Sequence, residues 1–293
     1  MSWQINPAQA APLRITLLMA EEGAVYREYA LAFANEVEQN NAAIFIRQTA
    51  TSLEDTDLII ALGIKSTAFA LEGQAPVISV LVSKAAFTKL SESSAAQRDP
   101  YPFSAIFLDH PASRQLDLVA AVLPRATTVG VLYSRLPPEI DSFRRAAAEN
   151  KLKLVEQRLH SPESLHRDLL TLVQQSDVLL ALPDAQVYNA STIRNVLLET
   201  YRSKTPMFGI SASYVKAGAL CAVYSSPQQI ARQTLQMVRQ FTASGKMPTV
   251  QYPREFDVLV NQQVANSLGI QMKTTETLIR QMKASAKEEG GGK

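Results

Sequence analysis

Residues 177–246 read DVLLALPDAQVYNASTIRNVLLETYRSKTPMFGISASYVKAGALCAVYSSPQQIARQTLQMVRQFTASGK, and their punctuation decides the fold. The apolar run VLLAL stops at Pro183-Asp184 and a helical pattern follows. A second short run, PMFGI, stops at Ser211-Ala212-Ser213, and a third, ALCAV, leads into a long helical pattern. Short apolar runs that alternate with helices predict parallel strands, because a parallel pair needs a crossover connection. Each run brings its C-terminal end, with small polar residues, to one shared edge, where an open α/β sheet keeps its ligand.

Working outward, the same alternation covers the chain. Residues 14–20 and 76–82 read as buried strands, 43–49 alternates in period two, and DLIIALG is a continuous apolar run ending in glycine. Residues 26–39 and 66–73 read as helices. The polar stretch SESSAAQRDPYPFSA at 91–105 reads as a surface loop, and a helix at 113–123 closes at Pro124. A second series of strands and helices begins at TVGVLYS, so two similar lobes are expected. After residue 223 come a long helix at 227–243, an extended YPREFDVLVN and a short helix at 262–268, more than a second lobe needs. A chain that recrosses between the lobes accounts for the excess. The expected division is 12–124 with 224–246 as the N-terminal lobe, 125–223 with 247–283 as the C-terminal lobe, and 284–293 as a disordered tail.

The composition narrows the function classes. At 293 residues the chain has room for two domains of roughly 130 residues. The 29 Lys and Arg balance 27 Asp and Glu, so the basic footprint of a nucleic-acid binder is missing and no nucleic-acid partner is expected. No apolar run reaches the ~20 residues that span a bilayer, and a soluble chain is expected. The single Cys221 builds neither a disulfide nor a cysteine zinc site, and it is read as a small hydrophobe in ALCAV. There is no basic region with an apolar core at the start, and Met1-Ser2 before Ala8-Gln9-Ala10-Ala11-Pro12 reads as a start grafted onto a mature exported chain.

Motifs for chemistry are missing: no GxSxG, GxxxxGK[ST], HExxH or GxGxxG is present, and the three histidines, read as surface residues, lack metal-ligand spacing. No enzyme, cofactor or metal is expected. Binding groups recur at the strand ends instead. Ile64-Lys65-Ser66-Thr67 sets a lysine and two hydroxyls at a helix start, suited to an anion, although Ser and Thr there also serve as plain caps. Glu21 and Glu22 follow the first strand as acceptors, and Ser83-Lys84 follows PVISVLV as a cap. In the second series the matching places are Tyr133-Ser134-Arg135, Asp184-Ala185 and Ser211 to Ser213, each equally readable as a turn. Together they describe a cleft for a small polar molecule, with Tyr26, Tyr133, Tyr188 and Tyr214 as candidate walls.

These residues, with DLIIALG, RQLDLVAAVLPRATTVGVLYS, TPMFGISASYVKAGAL, QQIARQTLQMVRQFTASGKMP and FDVLVNQQVANSLGI in that order, carry a resemblance over residues 13–272. The chain resembles the ABC-transporter substrate-binding proteins, relatives of the tryptophan- and tyrosine-binding lipoproteins. The resemblance implies an α/β fold of the type I periplasmic-binding kind: two Rossmann-like lobes, a hinge of about three crossings and an interlobe cleft that closes on a ligand. It implies a monomer outside the cytoplasm that delivers a small-molecule ligand to an ABC permease and its ATPase. A ligand-sensing module of the same fold, feeding a membrane receptor or kinase, is the alternative. By position, the resemblance puts ligand contacts at Ala20, Glu21 and Glu22; at Lys65, Ser66 and Thr67; at Ser83; at Tyr133, Ser134 and Arg135; at Asp184 and Ala185; and at Ser211 and Ser213.

The departures fall on these same loops. Tyr133-Ser134-Arg135-Leu136-Pro137-Pro138 stands where the family shows a Tyr-Asn-Pro turn, and Asp184-Ala185 where it shows Asp-Asn. Ala20-Glu21-Glu22-Gly23 replaces a Gln and a His-Pro pair, and Gly63-Ile64-Lys65 replaces Gly-Thr-Pro. The scaffold matches better than the ligand contacts do, and a ligand more anionic than an amino acid, or none, is expected.

Overall fold

The computed structural model describes residues 12–49, 52–92 and 101–290, with the backbone alone for 285–290. The chain divides into two compact units, one made of residues up to Phe107 plus Pro227–Pro253, the other of Leu108–Ser226 plus the chain from Arg254 onward.

The first unit opens with β1 (Leu13–Leu18), α1 (Ala24–Gln39), β2 (Ile44–Thr49), β3 (Leu58–Leu62), α2 (Gly63–Ala70), β4 (Val77–Val82), α3 (Lys84–Ser91) and β5 (Phe103–Phe107). All its strands are parallel, in the order β2-β1-β3-β4-β5. Every residue of β3 is at most 1 % exposed, as expected of a strand with helices on both faces. Burial of each such Leu or Ile stabilises the sheet by about 1.5–3 kcal/mol. Strand β5 corrects the sequence reading, which has residues 91–105 as a loop; of these, 93–100 lie outside the described residues. Pro100 and Pro102 break the pattern just ahead of FSAIF, but pairing with β4 and burial of Ala105 and Ile106 hold it as a strand.

The second unit continues with α4 (Ala112–Val122), β6 (Thr128–Tyr133), α5 (Ile140–Glu149), β7 (Lys153–Arg158), α6 (Leu165–Val173), β8 (Val178–Leu180), α7 (Ile193–Arg202), β9 (Met207–Phe208), α8 (Ala212–Ala217) and β10 (Cys221–Tyr224). The helix α9 (Pro227–Ser244) belongs to the first unit, and β11 (Asp257–Val260), α10 (Gln262–Ser267) and α11 (Thr275–Gly290) return to the second. The second sheet runs β11-β10-β9-β8-β6-β7, with β11 antiparallel to β10. Without β11 this is the winding of the first sheet.

The unit boundary differs from the sequence-based division. The helix α4, expected in the N-terminal lobe, packs on α5 and α11, and its Asp117 accepts from Asn150 Nδ2 at 3.1 Å. Residues 247–253, expected in the C-terminal lobe, stay in the first unit, where Gln251 N donates to Ala105 O and Phe107 N donates to Gln251 O. The helix α9 is fixed on α1 by Tyr29 Oη, which donates to Thr234 Oγ1 at 2.9 Å in the core, and by the Arg232–Glu36 pair at 3.2 Å. The chain expected as a tail from 284 continues α11 as far as Gly290.

Candidate functional site

In each unit the parallel strands end on one edge, and the winding changes direction between β1 and β3 and between β6 and β8. Crevices at such switch points hold the ligands of open α/β sheets. The candidate residues of each unit gather there, but the side chains divide into inward and outward groups.

In the first unit Lys65 and Glu21 pair at 2.7 Å, with the lysine side chain 72 % exposed. Hydrogen bonding to Glu21 raises the Lys65 ammonium above its ordinary value. Glu22, Ala20 and Ile64 are exposed beside them. Gly63 begins α2 at φ +81, which an L side chain rarely adopts, and a methyl group there would stand 2.5 Å from the Tyr26 hydroxyl. Tyr26 therefore lies across the turn, and burial, then the Glu21 charge, raises its phenol. The first turn of α2 has no side-chain cap at this edge.

Ser66 and Thr67 are fully buried. Ser66 Oγ accepts from Ala20 N at 2.9 Å, while Thr67 Oγ1 donates to Gly63 O at 2.8 Å and lies 2.6 Å from Ser79 Oγ. Their hydroxyls fasten α2 to the loop after β1 and to β4. Ser83 caps α3 by accepting from Ala86 N at 3.2 Å. Just before it, Leu81 takes φ +57 at an irregularity in the β4–β5 register. A non-glycine residue in that region costs on the order of 1–3 kcal/mol, and strain of this kind gathers at ligand-facing edges. The strand pattern PVISVLV gives no warning of it.

In the second unit Asp184 turns inward. Its Oδ2 accepts from Ser134 N at 2.6 Å and Ser134 Oγ at 2.7 Å, and Oδ1 accepts from Gln186 N at 2.9 Å. Asp184 and Ser134 thus form a clasp across the ends of β6 and β8. Arg135, Leu136 and Ala185 are exposed around it. Ser211 Oγ and Ser213 Oγ lie 2.7 Å apart at the start of α8. Tyr133 is buried, its hydroxyl donating to Glu156 Oε2 at 3.1 Å, and Tyr188 is buried in the core, so neither forms a wall. Tyr214 is half-buried against the close-packed Gly209.

Hollows elsewhere belong to the opposite edge. One of about 880 Å³ is lined by Leu13, Ile44, Phe45, Asp57 and Val238 at the strand starts of the first unit. Another of about 670 Å³ is lined by Arg125, Asp177 and Lys204 at those of the second.

Cys221 is buried, and burial pushes its thiol up. His110, read from the sequence as a surface residue, is only 5 % exposed, and the correction follows from packing against Arg114 and Phe256. Among the described residues no three His, Cys, Asp or Glu side chains gather as a metal site, and no helix is long and apolar enough to cross a membrane.

The sequence profile of the ABC transporter substrate binding protein family matches residues 28–284. Among solved structures, the chain is similar to a ligand-free, open substrate binding protein with adhesive properties from Clostridium difficile, at 19% identity and TM-score 0.70, covering 90% of this chain and 97% of that one. It is similar to an ABC domain in complex with L-Trp from Streptococcus pneumoniae, at 17% identity and TM-score 0.64, covering 92% and 98%. A conserved domain protein from Vibrio cholerae follows at 19% identity and TM-score 0.63, covering 92% and 98%. No curated protein matches by sequence. At these identities the likeness establishes the fold, and the family rests on the profile.

Proposed function

This chain belongs to the ABC transporter substrate binding protein family, matched over residues 28–284, and we propose that it is the solute-binding component of an ABC importer. The solute is a small polar organic molecule, amino-acid-like or carboxylate-bearing, taken at the switch-point edges of both units as they close on it. The protein acts outside the cytoplasm as a monomer and passes the solute to a membrane permease driven by an ATPase, without chemistry on the solute.

The observation that carries this reading is the exposed Lys65–Glu21 pair beside the uncapped start of α2, at the β1–β3 switch point. A lysine at a helix start suits a carboxylate, and Glu21 suits an ammonium or hydroxyl. Arg135 supports the same reading in the second unit. Asp184 contributes by ordering the loop that carries Arg135, since three protein donors already engage its carboxylate.

Thermal shift against amino acids, dicarboxylates and purines tests the proposal. A solute at 100 times its Kd should stabilise the protein by about 2.7 kcal/mol. Lys65→Ala and Arg135→Ala should then each weaken binding by about tenfold, the effect of losing roughly 1.4 kcal/mol of a charge-assisted contact. If both leave the affinity of a discovered solute unchanged, the site assignment fails.

A further inference from the structure

The chain passes from one compact unit to the other at three points, after Phe107, after Ser226 and after Pro253. Within the second unit, the segments at all three points meet one buried side chain, His110. Arg114 Nη1 lies 2.9 Å from His110 Nδ1. A guanidinium has donors only, so Nδ1 accepts and the ring carries its proton on Nε2. That N–H faces Ser225 Oγ at 3.4 Å, and Ser225 Oγ in turn donates to Glu255 O at 2.6 Å. His110 follows the first crossing, Ser225 precedes the second and Glu255 follows the third.

The surroundings fix the ring in this state. Gln115 Nε2 donates to His110 O at 2.8 Å, and the Phe256 ring packs edge-on with centroids 6.4 Å apart. The Arg114 guanidinium sits 4.5 Å over the Phe256 ring, and the Lys283 ammonium lies 5.8 Å from its centroid. Burial, then the Arg114 charge, lowers the imidazole to about 3, so it is neutral at ordinary pH. Within the first unit the first and third segments are joined separately: Gln251 bonds the backbone of β5 in both directions, and Gln233 Nε2 donates to Gln251 Oε1 at 3.0 Å and Tyr252 O at 3.1 Å.

We propose that His110 is the pin of a clamp, completed by Ser225 and the Glu255 carbonyl, that makes the three crossing segments one cooperative element, so that none loosens alone. A directed chain of bonds through one imidazole couples them because no alternative donor pattern is open: Arg114 cannot accept, and the Glu255 carbonyl cannot donate. The proposal concerns the ligand-free chain, so it stands or falls separately from the solute reading.

Amide hydrogen exchange read by mass spectrometry on the ligand-free, full-length protein tests it, comparing wild type with Ser225→Ala. The expected result is acceleration by about fivefold, the loss of one net hydrogen bond, in 105–112, 223–227 and 251–257 together. Exchange in α1 and α5 should stay as in the wild type. Acceleration confined to 223–227, uniform acceleration across the second unit, or no change overturns the proposal. His110→Ala, which removes both the donor towards Ser225 and the acceptor for Arg114, should give the same three-segment pattern; if it fails to fold, Ser225→Ala alone decides.

Discussion

In the first unit the first turn of α2, directly after β3, carries Lys65 into solvent beside Glu21, whereas in the second the loop after β8 turns Asp184 inward onto Ser134 and Gln186. The two units wind their strands in the same order, and at the opposite edge they even use the same device. Asp57, just before β3, accepts from Arg14 N at 2.9 Å, and Asp177, just before β8, accepts from Thr127 N at 2.7 Å and Thr128 N at 2.9 Å. The side-chain bond from Arg14 holds the Asp57 carboxyl below its ordinary value. Burial pushes Asp177 up, but the donors of Thr127 and Thr128 outweigh it and hold it low as well. The comparison teaches that an aspartate in a strand-end loop serves the scaffold wherever neighbouring N–H groups reach it, whereas Lys65 and Arg135 stay exposed at the same edges.

The largest expected effect distinguishing the units is that of pH. The second unit buries His110 neutral against Arg114 and Phe256, with its pKa lowered to about 3, and the unfolded chain takes up that proton first, near pH 6.5. The contribution is therefore complete above about pH 6.5 and is lost as pH falls towards about 3, by up to about 1.4 kcal/mol per pH unit. Urea unfolding of wild type and His110→Gln between pH 7 and 4 should show a shallower slope in the variant. Equal slopes would remove the histidine from the account.

Next comes the clasp. Asp184→Ala leaves three donors without their acceptor and should cost about 2–3 kcal/mol in urea unfolding. A smaller counterpart in the first unit is Thr67→Val, which orphans the buried Ser79 hydroxyl and should cost about 1–2 kcal/mol in the same measurement. If Thr67→Val proves the costlier, the strand ends of the two units are not fastened as described. Smallest of all, Lys65→Ala should leave the unfolding midpoint where it is, because an exposed pair adds little to stability. A clear shift in that midpoint would make the lysine a structural residue and remove it from the candidate site.

The alternation of strands and helices in residues 177–246 was legible because period and length survive any tertiary context. The roles of individual hydroxyls were not. Ser66 and Thr67 read as anion ligands or plain caps at a helix start, yet both lie at 0 % exposure with partners on other elements, whereas Ser83, read as a cap, does cap its own helix. His110 read as a surface residue, and its burial depends on Phe256, brought near by a third crossing of the chain.

The sequence by itself determined the α/β class, the doubled series, the recrossing and the family resemblance, because each follows from patterns repeated over many residues. Tertiary structure alone decided the unit boundary, the edge strand β5, the inward turn of Asp184 and the gathering of His110, Ser225 and Glu255. Those depend on partners 25 to 146 residues distant in the chain, and whether a polar side chain is spent within the fold or offered to a solute depends on whether such a partner arrives within hydrogen-bonding distance.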